Sequence, residues 1–554
     1  MLKIVTVAQM RALEAAADAA GVTYAEMMDR AGAAVAEVVQ ARIETLQGKT
    51  IVVLVGPGNN GGDGLVAGRL LAEAGATVKF YFLRPPAEDD PNVAKARAGE
   101  MFMADAENDQ RWRVLKNVLR GADVLVDALF GTGVRLPLRD SAARLLQQVG
   151  RTLADGDRRP LRVAVDVPSG YDCDTGALDA KSIPADVTVT FGAAKVGQFS
   201  FPGAEALGDL VLADIGWPDD LPGLGDIPLD LMDAPTAAAL LPSRPRSAHK
   251  GTFGTALVLA GSVNYTGAAY LSARAAYLSG AGLVTAGIPM SIHAALAGSL
   301  PEATWIILPS DLGVIAEGGV AVARKAVRKA DALLLGPGWG TEKSTGAFLQ
   351  GLLSGANENP RAAFGFRPAA GAGAEDRPGE NDALPALVVD ADGLKLLSEL
   401  DGWPGLLPAP AVLTPHPGEM AILTGDPKDE LQADRVGNAR KYAAQWGHVV
   451  VLKGAFTVAA APDGRVTVLP FATPALARAG TGDVLAGLIV GLLAQGLASY
   501  EAATTGAYIH GLAGELAARK IGAAASVLAG DVLEAIPAAF VAIGESRASR
   551  YSPV

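Results

Sequence analysis

The sequence predicts an α/β protein made of two parallel-sheet domains in succession, and three observations predict it. Short, continuous apolar runs recur along the chain and end in glycine- or aspartate-bearing turns, as strands covered on both faces do. Helical periodicity fills the intervals, which makes each series a run of βαβ units. The 554 residues also exceed what one core supports at about 150 residues per domain, and half of them are hydrophobic against 19% charged.

Taken in order, Thr23 and Glu26 are spaced as a capping box before an apolar-periodic stretch reaching about Ile43. Strands are predicted at Ile51–Val55, Val78–Leu83, Asp123–Val126, Leu161–Val167 and Val187–Phe191, with crossover helices including Leu65–Ala74 and Ala142–Val149. This first series is Rossmann-like in outline. Periodicity then lapses in the Pro- and Gly-dense stretch from Gly216 to Pro228, so the join is expected near residue 225, giving domains 1–225 and 226–554. A second series follows at Thr255–Ala260, Leu283–Ala286, Ala332–Leu335, Leu387–Val389, Ala411–Leu413 and Val449–Leu452. Residues 354–382, rich in Gly, Ala, Pro and charge without period, read as a mobile surface insertion.

Composition excludes several classes. A net charge of −12 argues against a general grip on nucleic acid, which depends on Lys and Arg neutralising phosphates. Cys173 is the only cysteine, so neither an intrachain disulfide nor a multi-cysteine zinc site can form, and a reducing cytoplasm fits. No apolar stretch reads as a signal core or a membrane span.

The first candidate site is Gly56-Pro57-Gly58-Asn59-Asn60-Gly61-Gly62-Asp63-Gly64, set between a strand and a helix, where glycines admit a close ligand and free N–H groups face an anion. It is neither the dinucleotide fingerprint nor a Walker loop. A tight βα turn alone would account for some of the glycines but not for two Asn and an Asp in the same loop. Asp127, followed by Ala128 to Gly133, and Asp166-Val167-Pro168-Ser169-Gly170 end two further strands. In open parallel sheets such loops converge on a crevice at the carboxyl edge.

Residues 1–220 resemble the NAD(P)H-hydrate epimerase family, the Asn-Asn-Gly-Gly-Asp-Gly loop being the most specific mark. The resemblance implies that Asn59, Asn60, Gly61, Gly62 and Asp63, with Gly131, Thr132, Gly133, Val134, Arg135, Leu136 and Pro137, hold the dinucleotide hydrate. It also implies that Asn60, Asp127 and Ser169 surround a potassium ion. Asp166 is the candidate acid/base for interconverting R and S hydrates, with a hydrogen bond to a ribose hydroxyl as the alternative. Lys195 either lines the same crevice or is an ordinary solvated lysine.

The second candidate site is Ala479-Gly480-Thr481-Gly482-Asp483 ahead of an apolar helix, which sets a carboxylate beside N–H groups at a helix N-terminus. A plain glycine-rich cap would look similar. The motif resembles the ribokinase-like signature, in which the loop stabilises a transferring phosphoryl group and the Asp accepts a hydroxyl proton. With the run Thr255 to Ser262, Gly336-Pro337-Gly338, Asp390-Ala391-Asp392-Gly393-Leu394, Thr414-Pro415-His416-Pro417-Gly418-Glu419 and Lys453-Gly454, residues 230–545 resemble the ADP/ATP-dependent NAD(P)H-hydrate dehydratases. On those matches Lys453, Gly454, Ala455, Phe456, Thr457 and Gly482 would bind the nucleotide. Ala256, Gly338, His416 and Asp483 would contact the hydrate, and Asp483 would be catalytic. Mg²⁺ bridging phosphates is expected, with Glu419 a candidate to support it; His416 could instead be a packed loop histidine.

The resemblance thus implies a homo-oligomeric repair enzyme acting on NADH and NADPH hydrates (NADHX and NADPHX) with ADP or ATP, and composition adds the expectation of a cytoplasmic protein without nucleic-acid or membrane partners. Two rivals stay open: a ribokinase-like kinase of another small molecule, and an N-terminal ligand- or RNA-binding module.

Overall fold

The computed structural model describes residues 2–354, 383–545 and 551–553; all of the expected insertion except Ser354 lies outside them. The chain divides into two compact units, Leu2–Leu231 with Ala548–Val554, and Met232–Arg547 with Met1. The division falls six residues after the expected join at 225.

In the Leu2–Leu231 unit, seven parallel strands lie side by side in the order Asp209–Ala213, Val187–Phe191, Leu161–Val165, Val124–Ala128, Thr50–Val55, Thr77–Phe82, Phe102–Asp105. Thr50–Val55 is almost wholly β-branched and is buried from Ile51 onward, as a doubly covered strand requires. From it the chain runs outward through Thr77–Phe82 to Phe102–Asp105, then returns to place Val124–Ala128 on its other flank. The loops after Thr50–Val55 and Val124–Ala128 therefore diverge at a topological switch point, where open sheets bind ligands. Helix Tyr24–Arg42 begins on the foreseen capping box: Thr23 Oγ1 accepts from the Glu26 N–H at 3.2 Å, and Glu26 Oε2 accepts from the Thr23 N–H at 2.9 Å.

Seven parallel strands of the second unit run Thr304–Leu308, Leu283–Pro289, Thr255–Leu259, Ala332–Leu335, Ala386–Val389, Val412–Leu413, Val449–Leu452, and an antiparallel pair, Val458–Ala460 and Val466–Val468, continues the sheet. A second switch point falls between Thr255–Leu259 and Ala332–Leu335. Helix Thr481–Ala494 is apolar nearly all round because it is buried nearly all round, between helix Thr266–Leu278 and the sheet. Among the described residues no helix is long and apolar enough to cross a membrane.

Close approach of those two helices depends on Gly487, where an added β-carbon would stand 2.3 Å from the Ser272 carbonyl oxygen and 2.7 Å from Ala275 Cβ. Gly487→Ala is therefore expected to cost about 1–3 kcal/mol of stability. The check is a lowered urea midpoint at unchanged slope, and a wild-type midpoint would show that the helices separate freely.

Candidate functional sites

The glycine loop of the first unit is shorter than its sequence suggests. Helix Asn59–Glu73 starts inside it, so Asn59 to Asp63 form the first helical turns over the switch point. Gly58 leads the helix without a side-chain cap, and a helix N-terminus left so carries N–H groups that suit an anion.

Beneath this turn the strand ends meet. Ser169 Oγ donates to Asp127 Oδ1 at 2.6 Å, the Ser169 N–H donates to Asp127 Oδ2 at 2.8 Å, and Ser169 Oγ accepts from the Phe130 N–H at 3.0 Å. A β-carbon at Gly131 would lie 3.0 Å from Asn60 Oδ1 and 3.2 Å from Asp166 Oδ2, so amide, carboxylate and loop share one spot. Asn60 Nδ2 is buried and has no hydrogen-bond partner among the described residues. Thr132 to Pro137 continue along the rim; Gly133, Arg135 and Pro137 are exposed, and Val134 and Leu136 pack against the core beneath.

Lys195 is not a solvated lysine. It is 1% exposed, and its ammonium donates to Asp166 Oδ1 at 2.6 Å, Thr190 Oγ1 at 2.8 Å and the Phe191 carbonyl at 3.2 Å. Thr190 Oγ1 also donates to Asp166 Oδ1, at 3.0 Å, and Gln198 Nε2 to the Asp166 carbonyl at 3.3 Å. One carboxylate oxygen is thus fully engaged, and the other faces Gly131. Asp166 holds φ = 67°, a left-handed conformation that costs energy in a non-glycine residue and aims this side chain. Glu14, on helix Val7–Ala19, belongs to the same charge group. Burial, then the Asp166 and Glu14 carboxylates, hold Asp63 well above the usual carboxylate range. Burial raises Glu14, with Lys195 opposing, and burial raises Asp127 against its bonds from Ser169.

A cavity of about 800 Å³ opens beside the glycine loop, reaching from Phe82 and Arg84 to Phe191 and Ile215. Gly58, Asn59, Gly62, Asp63 and Glu14 line it, whereas Asp127, Asp166 and Gly131 do not.

In the second unit Asp483 sits in the first turn of helix Thr481–Ala494 behind Gly480, whose φ is 90°. A β-carbon at Gly482 would lie 3.4 Å from Lys453 Nζ and 4.0 Å from Asp390 Oδ2. Lys453 donates to Asp390 Oδ1 at 2.6 Å and stands 3.6 Å from Glu419 Oε2. Thr414 Oγ1 donates to the same Asp390 oxygen at 2.7 Å, while Asp390 Oδ2 is buried with no hydrogen-bond partner among the described residues. Burial, then the Asp390 carboxylate, pushes Asp483 up to about 7, with Lys453 opposing. Burial works against the Lys453 ammonium, yet Asp390 and Glu419 outweigh it and raise its pKa.

His416 caps helix Pro417–Thr424: its Nδ1 accepts from the Gly418 and Glu419 N–H groups at 3.0 and 3.1 Å. Its side chain is 52% exposed, so it is not a packed histidine, and its Nε2 lies 3.4 Å from Glu419 Oε1. Gly338 lies at the switch point against Tyr265 and Ala268, and Trp339 Nε1 ties the same turn to the Leu259 carbonyl at 2.9 Å. Gly454 and Ala455 are exposed after strand Val449–Leu452, Phe456 and Thr457 half-buried, and Arg435 donates to the Leu452 carbonyl beneath them at 2.9 Å.

Ala256 is the one expected contact that the structure moves away. It is the second residue of strand Thr255–Leu259 and fully buried in the core, about 10 Å short of the carboxyl edge at roughly 3.3 Å per residue. It packs the sheet and does not reach the crevice. Sequence reasoning missed Glu14, Thr190, Gln198 and Arg435 as site residues, together with His510, which is buried beside Thr481 and pushed down to about 4 by that burial, while Thr414 stood in a strand-end motif without a role. Asp390 and Asp392 stood visibly after a strand without being assigned a role.

Among the described residues no group of three or more His, Cys, Asp or Glu is placed to hold a metal ion. The first crevice instead offers mixed hard oxygens, and the second a carboxylate set beside an anion-binding helix end.

Two α/β units, each with acidic side chains under a glycine-rich helix N-terminus at a switch point, define a two-site class of protein built to take phosphorylated small molecules. The family model described as YjeF-related protein N-terminus matches residues 24–197, and the one described as NAD(P)H-hydrate dehydratase matches 256–359 and 374–538. A bifunctional NAD(P)H-hydrate repair enzyme Nnr of Moorella thermoacetica is 37% identical over 524 residues, 92% of this chain and 91% of that one. Another, of Salinibacter ruber, is 36% identical over 546 residues, 95% and 93% of the two chains. A solved ADP/ATP-dependent NAD(P)H-hydrate dehydratase from Bacillus subtilis, co-crystallised with ATP and Mg²⁺, is 30% identical with a TM-score of 0.46, covering 57% of this chain and 98% of that one. The chain belongs to the family of bifunctional NAD(P)H-hydrate repair enzymes.

Proposed function

We propose that the Leu2–Leu231 unit interconverts the R and S epimers of NADH and NADPH hydrates, and that the Met232–Arg547 unit dehydrates the S epimer at the expense of ADP or ATP. The observation that carries this reading is the grouping of Lys453, Asp390 and Asp483 at Gly482, a base and a cation set at a helix N-terminus.

Hydroxide is a poor leaving group, so the hydrate's hydroxyl is first phosphorylated. Asp483 takes the hydroxyl proton, the oxygen attacks the terminal phosphoryl group, and the shortened nucleotide leaves. Gly482 N–H and Lys453 face the charge that develops on the phosphoryl oxygens. Phosphate then departs with the C–O bonding pair as the ring nitrogen donates its lone pair, and loss of a ring proton restores the dihydronicotinamide. Asp390, whose second oxygen is buried without a hydrogen-bond partner among the described residues, and Glu419 would support Mg²⁺ held chiefly on the nucleotide, where it would offset phosphate charge.

In the first unit the stereocentre carries both hydroxyl and ring nitrogen, so inversion opens its C–N bond: the hydroxyl gives up a proton as the carbonyl forms, the nitrogen keeps the bonding pair and takes a proton, and reclosure on the other face reverses both transfers. Asp166, fixed on one oxygen by Lys195 and Thr190, presents the other for that exchange. Asn60 Oδ1, Asp127 and Ser169 Oγ would hold potassium; the donors are hard oxygens, and a cation would favour the ionised Asp127 that burial disfavours.

The test is the absorbance of the reduced nicotinamide band after purified protein, Mg²⁺ and ADP or ATP are added to mixed R and S NADH hydrates. Full recovery is expected. No recovery with either nucleotide, together with turnover of another small alcohol to a stable phosphate ester, would replace the dehydratase by a kinase.

A further inference from the structure

We propose that the cavity beside the glycine loop receives the adenosine half of the dinucleotide, and that Arg84 reads a ribose 2′-phosphate there, so that the epimerase unit favours NADPH hydrate over NADH hydrate. The inference rests on the epimerase reading and adds a specificity residue to it.

The sheet order carries the first step. Doubly wound sheets bind a dinucleotide with one mononucleotide on each side of the switch point and the pyrophosphate on the helix N-terminus between them. Here Asp166, Asp127 and Gly131 all stand on the flank begun by Val124–Ala128, where the nicotinamide ring reacts. The opposite flank, begun by Thr77–Phe82, is left for the adenosine; the 800 Å³ cavity reaches it through Phe82, Arg84 and Pro85 and runs past the glycine loop to Phe191 and Ile215 on the reactive flank, so that one opening spans both halves. Its volume lies within the range of pockets that enclose a nucleotide-sized ligand.

The wall supplies the second step. Met28, Pro85, Pro86, Ala87 and Val93 give apolar surface for a purine. Arg84 follows strand Thr77–Phe82, the second of the series, at the position from which such sheets contact the ribose 2′ substituent: a carboxylate there accepts from a 2′-hydroxyl, whereas an arginine receives a 2′-phosphate. Arg84 is exposed and in no ion pair among the described residues, and Lys95 adds a second cation to the same wall. The carboxylates present are mostly committed elsewhere. Asp90 Oδ1 caps helix Pro91–Ala98 by accepting from the Asn92 and Val93 N–H groups at 2.8 and 3.2 Å. Glu14 and Asp63 belong to the Asp166–Lys195 group. That leaves Asp29 against two cations.

Epimerisation of purified R-NADPHX and R-NADHX, followed by chromatographic separation of R and S forms with no ADP or ATP present, gives kcat/KM for each. Wild type is expected to prefer the NADPH hydrate, and Arg84→Ala to lower kcat/KM for it by about ten- to a hundredfold, as loss of a charge-assisted phosphate contact does. The NADH hydrate should change less than about twofold, and Arg84→Lys should restore part of the difference. An equal loss on both substrates, or an unchanged ratio, overturns the inference. Should wild type epimerise neither hydrate, the epimerase reading fails separately, and calorimetric titration with NADP⁺ and NAD⁺ still decides. Selective, Arg84-dependent binding of NADP⁺ supports the site, and equal binding in wild type and variant refutes it.

Discussion

Asp483→Asn is expected to lower nucleotide-dependent dehydration by about a hundred- to ten-thousandfold, the loss that follows removal of a positioned base, while epimerisation proceeds at the wild-type rate. Asn keeps the shape and the helix turn but cannot take the hydroxyl proton. The same variant separates chemistry from folding. Asp483 is pushed up to about 7, first by burial and then by Asp390, so the folded protein binds a proton there that the unfolded chain releases near pH 4. Its contribution to stability is full below about pH 4 and is lost as pH rises through about 7. Asn carries no such penalty, so Asp483→Asn should melt no lower than wild type at pH 8 and show a flatter dependence of melting on pH. Activity should depend on pH in the opposite sense. The base must be ionised, so kcat/KM for dehydration should climb through the neutral range and level above it, the inflection lying near pH 7 for the free enzyme. A variant that melts early at pH 8, or a wild-type profile flat from pH 5 to 9, would remove Asp483 from the proton transfer.

What the sequence disclosed follows the range over which its signals act. Strands covered on both faces, such as Thr50–Val55 and Val449–Leu452, announce themselves by continuous β-branched runs. Phe102–Asp105 escaped because it lies at a sheet edge, half-exposed and without such a run, whereas Thr304–Leu308, also an edge strand, carries the run Trp305-Ile306-Ile307-Leu308 and was overlooked. Val458–Ala460 and Val466–Val468 escaped because three residues carry no period. The glycine loops were legible as sites since backbone approach is a local demand. Their geometry was less so: helix Asn59–Glu73 begins six residues before the expected Leu65, because packing of Gly56 and Gly61 lets the helix start against strand Val124–Ala128 and its loop.

The charge pairs mark the limit. Lys195 and Asp166 are 29 residues apart, Lys453 and Asp390 63 apart, and only the order of strands in each sheet brings them together. Nothing in the local sequence of Lys195 distinguishes it from a solvated lysine. Ala256 is the converse case: it lies on the strand whose carboxyl end borders the switch point, but at the wrong end of it. Glu14 sits on an alanine-rich helix with little contrast between its faces, so neither its burial nor its direction could be read.

Breaking the Lys195–Asp166 pair should have the largest effect on the first unit. Both partners are buried, with side-chain exposures of 1% and 10%, and removing either leaves the other charged without its counterion. Lys195→Met is expected to cost about 3–5 kcal/mol, and Asp166→Asn a comparable amount, since Thr190 Oγ1 and the Phe191 carbonyl bond the ammonium without balancing its charge. The double variant should recover much of that loss, so the two single costs are strongly non-additive. Activity should not follow stability. Asp166→Asn is expected to lower epimerisation by about a hundred- to ten-thousandfold, and the double variant, though refolded in stability, should stay equally inactive because the proton-exchanging oxygen is gone. In mixed R and S hydrates both would recover only the S portion of the reduced-nicotinamide band beyond spontaneous epimerisation, with the dehydratase unimpaired. Epimerisation restored along with stability in the double variant would make Asp166 a structural partner of Lys195 and shift the proton exchange to Asp63 or Glu14, the remaining carboxylates of that group. Additive stability costs would instead show that Lys195 is solvated in solution and that the ion pair does not hold the Asp166 carboxylate in place.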